Sequence, residues 1–243
     1  MAKKLLTVCG LSSVKAIAQH TPDRIERLFF DQQNARLFAA TSSYLANRRK
    51  IYRLVTTEEL KKITDTPHHQ GVAAVIQEPA AHDVANLDLR SGTLCLHDVL
   101  NPHNVGAILR TAAFFGITDI IASQQSYAAA MTASAWRVAE GGLTHCRLYS
   151  YSAPRVLFSA AENKGWVTAA AVRPGKESLP SLGALVAQQI KSVVVCLGNE
   201  ENGLAPDFVR SCRATFTIPG SGKVESLNVS VAAALCAAKL AGY

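Results

Sequence analysis

Short apolar segments of β type alternate with amphipathic segments along almost the whole chain. The alternation is clearest in the C-terminal part, where helical stretches separate six predicted strands: Leu94–His97, Ile120–Ala122, Arg147–Tyr149, Val167–Ala171, Val193–Leu197 and Thr215–Ile218. The segment VVVCL at 193–197 is apolar on both faces, which is typical of a parallel strand covered by helices on each side. The pattern therefore predicts an α/β fold with a parallel sheet.

The alternation divides the chain into two predicted domains. Residues 1–78 form a small α/β unit, and residues 92–243 form a larger one that ends in a predicted helix over Ser226–Leu240. Residues 79–91 contain a proline, several small residues and little periodicity, so we expect a linker there. A chain of 243 residues is long enough for one small and one medium-sized domain.

Positive charge is concentrated in the N-terminal third. The whole chain carries a formal net charge of +7, and residues 1–78 contain 12 basic and 7 acidic side chains. This excess favours a polyanionic partner. A charge run also suits a solvated surface.

Composition argues against several other classes of protein. The 6 cysteines form no CxxC pair and no Cys/His cluster, so no zinc site or redox motif is predicted. No window approaches the roughly 18 uninterrupted apolar residues that a membrane span needs, and the first residues do not resemble a signal peptide. We therefore expect a cytoplasmic protein that binds neither a metal nor a membrane.

The first candidate site segment, Asn101–Arg110, directly follows a predicted strand. Pro102 suits the first turn of a helix, with Asn104 and Arg110 following within two turns. The Asn104 amide is both donor and acceptor, and the Arg110 guanidinium is a planar fork for a phosphate or a carboxylate. Taken alone, these residues also suit a helix cap and a surface ion pair.

The second segment runs from Cys196 to Pro206, again at the carboxyl end of an apolar strand. Ligands of parallel sheets bind at the carboxyl ends of the strands. Gly198 and Gly203 allow a sharp turn that exposes backbone N–H and C=O groups, and Glu200 offers an acceptor or a base. An ordinary strand-to-helix turn with exposed acids is the alternative interpretation.

The third segment, residues 218–232, joins a Gly-Ser-Gly loop to a helix whose predicted start carries Ser226 and Asn228. A nucleotide phosphate loop is not supported, because Thr217 stands at its first glycine position and Val224 replaces its hydroxyl residue. The sequence has no GxGxxG either, so neither an ATPase nor a dinucleotide-dependent dehydrogenase is indicated. Ser226 also suits a simple helix N-cap.

Together the three segments resemble a known family. Asn-x-Gly-x-x-x-Arg, Gly-x-Glu-x-x-Gly-Leu and Ile-Pro-(loop)-Ser-Leu-Asn-Val-Ser-Val-Ala occur in this order over about residues 93–240. They resemble the motifs of the SpoU-type (TrmH-like) RNA ribose 2′-O-methyltransferases of the SPOUT superfamily. Residues 5–78 are similar to the L7Ae/L30e-like substrate-binding domain that often precedes this domain. The resemblance implies a parallel sheet with a deep trefoil knot, an exception to the rule against threading.

The resemblance also implies roles for individual residues, with S-adenosylmethionine as the cofactor and RNA as the substrate. The implied cofactor-binding residues are Leu197, Gly198, Gly203, Ile218, Pro219, Leu227 and Asn228. The implied reaction site consists of Asn104, Arg110, Glu200, Ser226 and Asn228. Arg110 would also contact the RNA, together with Arg48, Arg49, Lys50 and Arg53.

The implied reaction is the attack of a ribose 2′-hydroxyl of rRNA or tRNA on the sulfonium methyl group, which needs no metal. Since a guanidinium with a pKa above about 12 is a poor base, we expect Arg110 to hold a phosphate and to stabilise the developing alkoxide. A homodimer through the C-terminal domain is also implied. One alternative is a non-catalytic RNA-binding or ribosome-assembly factor. The other is a base methyltransferase, which is disfavoured by the Arg of the first motif and the Ser-Leu-Asn of the third.

Overall fold

The computed structural model describes residues 4–89, 92–173, 182–183 and 192–243. The N-terminal unit is a four-stranded sheet with three helices. Its strands are β1 (Leu5–Cys9), β2 (Ile25–Phe30), β3 (Ile51–Leu54) and β4 (Val72–Gln77). Its helices are α1 (Leu11–His20), α2 (Ala39–Asn47) and α3 (Thr57–Thr64). The strand order is β1-β4-β2-β3; β4 is antiparallel to both neighbours, whereas β2 and β3 are parallel.

The C-terminal unit is built on a seven-stranded sheet in which every pair of neighbours is parallel. Its strands are β5 (His82–Asp83), β6 (Thr93–Leu96), β7 (Asp119–Ser123), β8 (Arg147–Tyr151), β9 (Val167–Ala171), β10 (Val193–Leu197) and β11 (Ala214–Phe216). The strand order is β11-β9-β10-β6-β7-β8-β5. All five residues of β10 are buried. The predicted α/β fold with a parallel sheet is therefore confirmed.

Helices follow most of these strands. Their bounds are α4 (Pro102–Phe114), α5 (Gln124–Ala130), α6 (Ala133–Ala139), α7 (Gly142–His145), α8 (Pro154–Lys164), α9 (Pro206–Ser211) and α10 (Val229–Leu240). The prediction that the last helix begins at Ser226 was wrong by three residues. Asn228 has an extended backbone (ψ 140°), and its side chain accepts the Ser230 N–H, so the helix begins after Asn228.

The order in which strands are added to the sheet changes direction between β6 and β10. From β6 the chain adds β7 and β8 on one side of the sheet, and it later returns to place β10 against the other side of β6, with Cys196 opposite Cys95. The loops after β6 and β10 therefore leave the same edge of the sheet in different directions. Such a topological switch point is where open α/β sheets bind their ligands.

Gly106 allows α4 to lie very close to α6. A Cβ atom at this position would lie 2.5 Å from the carbonyl oxygen of Ala135. The motif glycine between Asn104 and Arg110 is therefore required for helix packing, because a side chain there would push the backbone of α6 away.

The two units contact each other through α1, α6 and α7. The Ser13 hydroxyl, at the start of α1, donates to the carbonyl oxygen of Trp136 on α6 at 2.6 Å. Gly141 lies just before α7, and a Cβ atom added at this position would lie 2.9 Å from the Ala16 Cβ. Both contacts are close, so the N-terminal unit is packed directly on the helices that surround α4.

The described part of the predicted 79–91 linker carries structure of its own. His82 and Asp83 form β5, which pairs with β8 at the edge of the larger sheet. Val84 and Leu87 are fully buried in the core beneath it. The predicted trefoil knot stays a prediction, because part of the connection between β9 and β10 lies outside the described residues. No helix within the described ranges is long and apolar enough to cross a membrane.

Candidate active site

The three segments singled out in the sequence meet at the carboxyl edge of the larger sheet. The first follows β6 and opens α4, the second follows β10, and the third follows β11 and opens α10. Asn101 caps α4 by accepting the His103 N–H at 2.9 Å, with Pro102 in the first turn as predicted. The sheet topology thus brings together segments that are far apart in sequence.

Three polar side chains, one from each segment, form a hydrogen-bonded row. The Asn228 Nδ2 donates to the Asn104 Oδ1 at 3.1 Å, and the Asn104 Nδ2 donates to the Glu200 Oε1 at 2.9 Å. The backbone N–H of Asn101 donates to the same carboxylate oxygen at 3.3 Å. We refer to Asn104, Glu200 and Asn228 as the Asn-Glu-Asn row.

The direction of every bond in the row follows from the start of α10. The Asn228 Oδ1 accepts the Ser230 N–H at 2.8 Å and the Ser230 hydroxyl at 2.6 Å. An amide has one oxygen acceptor and one NH₂ donor, so the Asn228 NH₂ must point the other way. It therefore donates to the Asn104 oxygen, which leaves the Asn104 NH₂ to donate to Glu200. The helix cap orients the row.

A cavity of about 220 Å³ lies beside this row, at the ends of β9 and β10 and under the loop after β11. Six of the predicted cofactor residues line it: Leu197, Gly198, Gly203, Ile218, Pro219 and Leu227. Two predicted reaction-site residues, Glu200 and Ser226, line it as well. The seventh predicted cofactor residue, Asn228, stands next to the cavity in the Asn-Glu-Asn row. The structure therefore gathers most of the predicted site.

The loop after β10 packs tightly on itself. A Cβ atom on Gly198 would lie 2.4 Å from the carbonyl carbon of Gly203, and Gly203 has a positive φ of 68° that favours glycine. The Gly203 N–H donates to the Asn199 carbonyl oxygen at 2.9 Å. This turn leaves backbone groups, rather than side chains, along one wall of the cavity.

Two residues of the site were not predicted from the sequence. The Asn199 side chain accepts the N–H groups of Glu201 and Asn202 and donates to the Asp98 carbonyl oxygen, which ties the β10 loop to the β6 loop. Arg173 follows β9, lines the cavity and donates to the Glu201 carbonyl oxygen at 2.6 Å. Asparagine is common in such turns, and this is the signal that could have identified Asn199.

Ser226 is not a helix cap, because Asn228 occupies that position. The alternative interpretation of Ser226 as an N-cap was therefore wrong. Ser226 lies in the loop that closes the cavity, and within the described part of the chain its hydroxyl has no hydrogen-bond partner. The hydroxyl is consequently available to a ligand.

Comparison with known proteins gives two family matches that follow the two units. The model of the SpoU rRNA Methylase family matches residues 91–238, and the model described as RNA 2′-O ribose methyltransferase substrate binding matches residues 7–81. The first match covers more than half of the chain. The chain belongs to the SpoU rRNA methylase family.

Similar family members come from several bacteria. The chain is 31% identical over 235 residues to the uncharacterized tRNA/rRNA methyltransferase YfiF of Escherichia coli O157:H7, covering 93% of this chain and 64% of that protein. The 23S rRNA (guanosine-2′-O-)-methyltransferase RlmB of Acinetobacter baylyi is 28% identical, with 93% of this chain and 92% of that protein covered. The chain thus spans less than two thirds of YfiF but nearly all of RlmB.

Solved structures of similar fold support the architecture. The AdoMet-bound rRNA methyltransferase from Sinorhizobium meliloti superposes with a TM-score of 0.79 at 19% identity, covering 97% of this chain and 86% of that one. The SpoU methyltransferase AviRb from Streptomyces viridochromogenes, in complex with AdoMet, gives 0.77 at 19% identity, covering 98% and 89%. At this identity the likeness establishes the fold.

One motif residue of this SpoU family member lies apart from the others. Arg110 does not line the cavity, and its guanidinium forms an ion pair with Glu140 at 3.0 Å. Six residues along a helix correspond to a rise of about 9 Å and a rotation to a different face. Asn104 and Arg110 therefore cannot point into the same site from one copy of α4.

His97, at the end of β6, has a structural environment. Its Nδ1 is 2.8 Å from the Tyr151 hydroxyl, and its ring stacks on Phe208 at 4.1 Å. Burial lowers the pKa of His97, against the opposing effect of Asp98. The imidazole is thus held in the core beside the site and does not line the cavity. Within the described ranges, no group of three or more His, Cys, Asp or Glu residues could hold a metal ion.

The predicted RNA-contacting side chains differ in availability. Lys50 is used within the protein: its ammonium donates to the carbonyl oxygens of Asp23 and Ile25 and pairs with Glu26 at 3.3 Å. Arg49 and Arg53 are exposed, and the exposed Arg48 guanidinium lies over the Tyr44 ring at 3.8 Å. The structure thus assigns Lys50 a role in holding the chain together, whereas the three arginines face solvent.

We expect Gly198→Ala to weaken cofactor binding about fivefold to 150-fold, because overpacking against the Gly203 backbone costs about 1–3 kcal/mol. Isothermal titration calorimetry with S-adenosylmethionine measures this. Asn202→Ala is the matched control, since Asn202 is exposed in the same loop. Equal affinities for the two variants would show that the close approach of the loop does not shape the binding site.

Proposed function

We propose that this protein is an S-adenosylmethionine-dependent RNA methyltransferase that modifies a ribose 2′-hydroxyl of rRNA or tRNA. The observation that carries the proposal is the Asn-Glu-Asn row, which joins all three family motifs beside a cavity walled by backbone. RlmB relatives named as guanosine-2′-O-methyltransferases, aligned over nearly the whole chain, favour ribose over base methylation and rRNA as the substrate class. We further propose residues 1–78 as the RNA-binding domain and 92–243 as the methyltransferase domain.

The described residues suit the proposed cofactor. A Cβ atom on Gly198 would overlap the Gly203 backbone, so two stretches of backbone touch here, and the wall they form would present backbone donors and acceptors to a nucleoside. Leu197, Ile218, Pro219 and Leu227 would supply apolar contacts, and Asn228 would face the reacting end. When bound, S-adenosylmethionine supplies an electrophilic methyl group on a sulfonium.

The residues of the chain would supply alignment and charge. The Glu200 carboxyl lies next to the cavity, and its hydrogen-bond donors in the row are neutral amide and backbone groups, so no described cation pairs with it. Asn104 and Asn228 are fixed by the α10 cap and would orient the ribose, while the Ser226 hydroxyl would donate or accept at the same edge. Arg110 would stabilise the alkoxide that develops as the 2′-hydroxyl passes its proton to the Glu200 carboxylate or to water. The ribose oxygen would bond to the methyl group as the bond from that group to sulfur breaks, which leaves S-adenosylhomocysteine as the second product.

The test is methyl transfer from labelled S-adenosylmethionine to total RNA from cells that lack the gene. We expect label in alkali-resistant dinucleotides, since 2′-O-methylation blocks alkaline cleavage, and at least a hundredfold lower rates for Arg110→Ala and Asn228→Ala. Label in mononucleotides after alkaline cleavage would instead indicate base methylation. Cofactor binding without any transfer to RNA or to ribosomal particles would favour the non-catalytic RNA-binding factor.

We also propose that the protein works as a homodimer through the C-terminal domain. Val231 and Leu235, one helical turn apart on α10, are 48% and 49% exposed, and Leu227 beside them is 46% exposed. Such an apolar stripe next to the site suits a protein interface. A second copy is the occupant that the geometry favours, because it can bring its own Arg110 to the row that this chain's Arg110 does not contact.

Co-expression of two inactive variants tests this arrangement. If Arg110 acts in the partner's site, dimers that combine Arg110→Ala with Asn228→Ala subunits retain one intact site of two. Random pairing makes half of the dimers mixed, so activity returns to about a quarter of the wild-type value. The matched control combines Glu200→Ala with Asn228→Ala, which leaves no intact site. Absence of recovery in the first pair would contradict the shared site.

We infer that Arg48, Arg49 and Arg53 contact the RNA backbone. All three are exposed on the unit that carries the excess positive charge, and Tyr52 beside them is 42% exposed and available to stack on a base. Lys50 contributes by fixing this segment to β2 through the contacts described above.

Removing two of these charges should weaken RNA binding in a salt-dependent way. For an Arg48→Ala, Arg49→Ala double variant we expect a smaller slope of log affinity against log salt, by about 0.7 per lost phosphate contact with single-stranded RNA. Lys50→Ala should lower the thermal midpoint of unfolding instead. An unchanged salt slope in the double variant would contradict the proposed contacts.

A further inference from the structure

A second polar cavity, of about 500 Å³, lies between the two units. One wall comes from the N-terminal unit, at the start of α1 and the loop before β4. The other wall comes from α4 and the end of α6. The inference uses four of the lining residues: Gln70, Arg110, Arg137 and Glu140. We call this cavity the interdomain cleft.

The interdomain cleft contains an arginine that the protein itself does not neutralise. Arg137, in the last turn of α6, is half-buried, and no hydrogen bond or ion pair joins its guanidinium to any described residue. Arg110 also faces the cleft, and its partner Glu140 is the one carboxylate among the lining residues. Two guanidinium groups with a single carboxylate leave net positive charge inside the cleft.

The walls of the cleft are held in place by hydrogen bonds. The Gln70 Oε1 accepts the Leu11 N–H at 2.7 Å, which fixes the loop before β4 to the start of α1. The Ser13 hydroxyl donates to the Trp136 carbonyl oxygen, one residue before Arg137. The cleft is therefore preformed, and an incoming anion would not have to order it first.

We propose that the interdomain cleft is a phosphodiester-binding subsite for the substrate RNA. Arg137 is its fixed anchor, and Glu140 is a counter-ion that holds Arg110 until an RNA phosphate replaces it. This proposal rests on the proposed function for the identity of the polyanion. A planar guanidinium binds two phosphate oxygens at once, which is the geometry that an unpaired arginine in a polar cleft favours.

The Arg110–Glu140 pair is suited to such an exchange. Both side chains are about half exposed, at 56% and 47%, and ion pairs of this kind contribute little to stability in water. A phosphate in the cleft would bind Arg110 more strongly than Glu140 does, because Arg137 would hold the same phosphate in place. RNA binding would thereby release Arg110 from Glu140.

RNA affinity of the full-length protein tests the subsite. The probe is a fluorescein-labelled 20-nucleotide single-stranded RNA of mixed sequence, because phosphate contacts are independent of sequence. For Arg137→Gln we expect about tenfold weaker binding and a salt slope reduced by about 0.7. Arg137→Lys should be intermediate, since it keeps the charge and loses the fork. Arg155→Gln, an exposed arginine on α8, is the control for net charge.

Removing the counter-ion should have the opposite effect. For Glu140→Gln we expect about twofold to fivefold tighter RNA binding, the range set by the weakness of an exposed pair. Glu162→Gln, which removes an exposed carboxylate on α8, should change the affinity much less. Thermal melting and S-adenosylmethionine titration show that each variant is folded.

The outcomes separate this inference from the proposed function. Affinities and salt slopes of Arg137→Gln and Glu140→Gln equal to those of their controls would overturn the subsite, even if the wild-type protein methylates RNA. A wild-type protein that binds the probe through Arg137 but transfers no methyl group would refute the proposed function and leave the subsite standing. Tight binding of an acidic peptide, with no effect of Arg137→Gln on RNA, would assign the cleft to a protein partner and overturn the inference.

Discussion

The hydrogen bond that caps α10 determines the geometry of the candidate site. Because the Asn228 oxygen is committed to the first turn of the helix, its NH₂ group can only donate away from the helix, toward Asn104. Asn104 must then accept from Asn228 and donate to Glu200. A local requirement of helix formation thus fixes the orientation of two amides and the position of a carboxylate.

The parallel sheet makes this arrangement possible. Asn104 and Glu200 are 96 residues apart, yet β6 and β10 are neighbours and end at the same edge. The loop after β10 can turn back at this edge because Gly198 and Gly203 let two stretches of backbone touch. The result is a cavity with one wall of backbone groups, whose positions depend on the fold and little on rotamers.

Much of the fold and of the candidate site could be predicted from residue patterns. The strand Val193–Leu197 has the predicted bounds, because a continuous apolar run marks a buried parallel strand. The strand Val167–Ala171, which contains Thr168, also has the predicted bounds. Local sequence patterns predict less where tertiary contacts determine the position of a side chain. Arg173 joins the cavity because β9 lies beside β10, and Lys50 turns inward because carbonyl groups of a neighbouring segment need donors. The separation of Arg110 from the row likewise depends on the packing of α4 and α6.

The distribution of charge follows from the chemistry of the two proposed ligands. A carboxylate beside the cavity suits a cationic sulfonium, whereas guanidinium groups suit a phosphate. Had Arg110 been placed against Glu200, the two would pair and neither charge would be available to its ligand. In this structure Glu200 accepts hydrogen bonds from neutral donors. Arg110, six residues after Asn104 on α4, pairs with the exposed Glu140. Within one copy of the chain the two charges are thereby kept apart, and in the proposed dimer the Arg110 of one subunit would approach the Glu200 of the other.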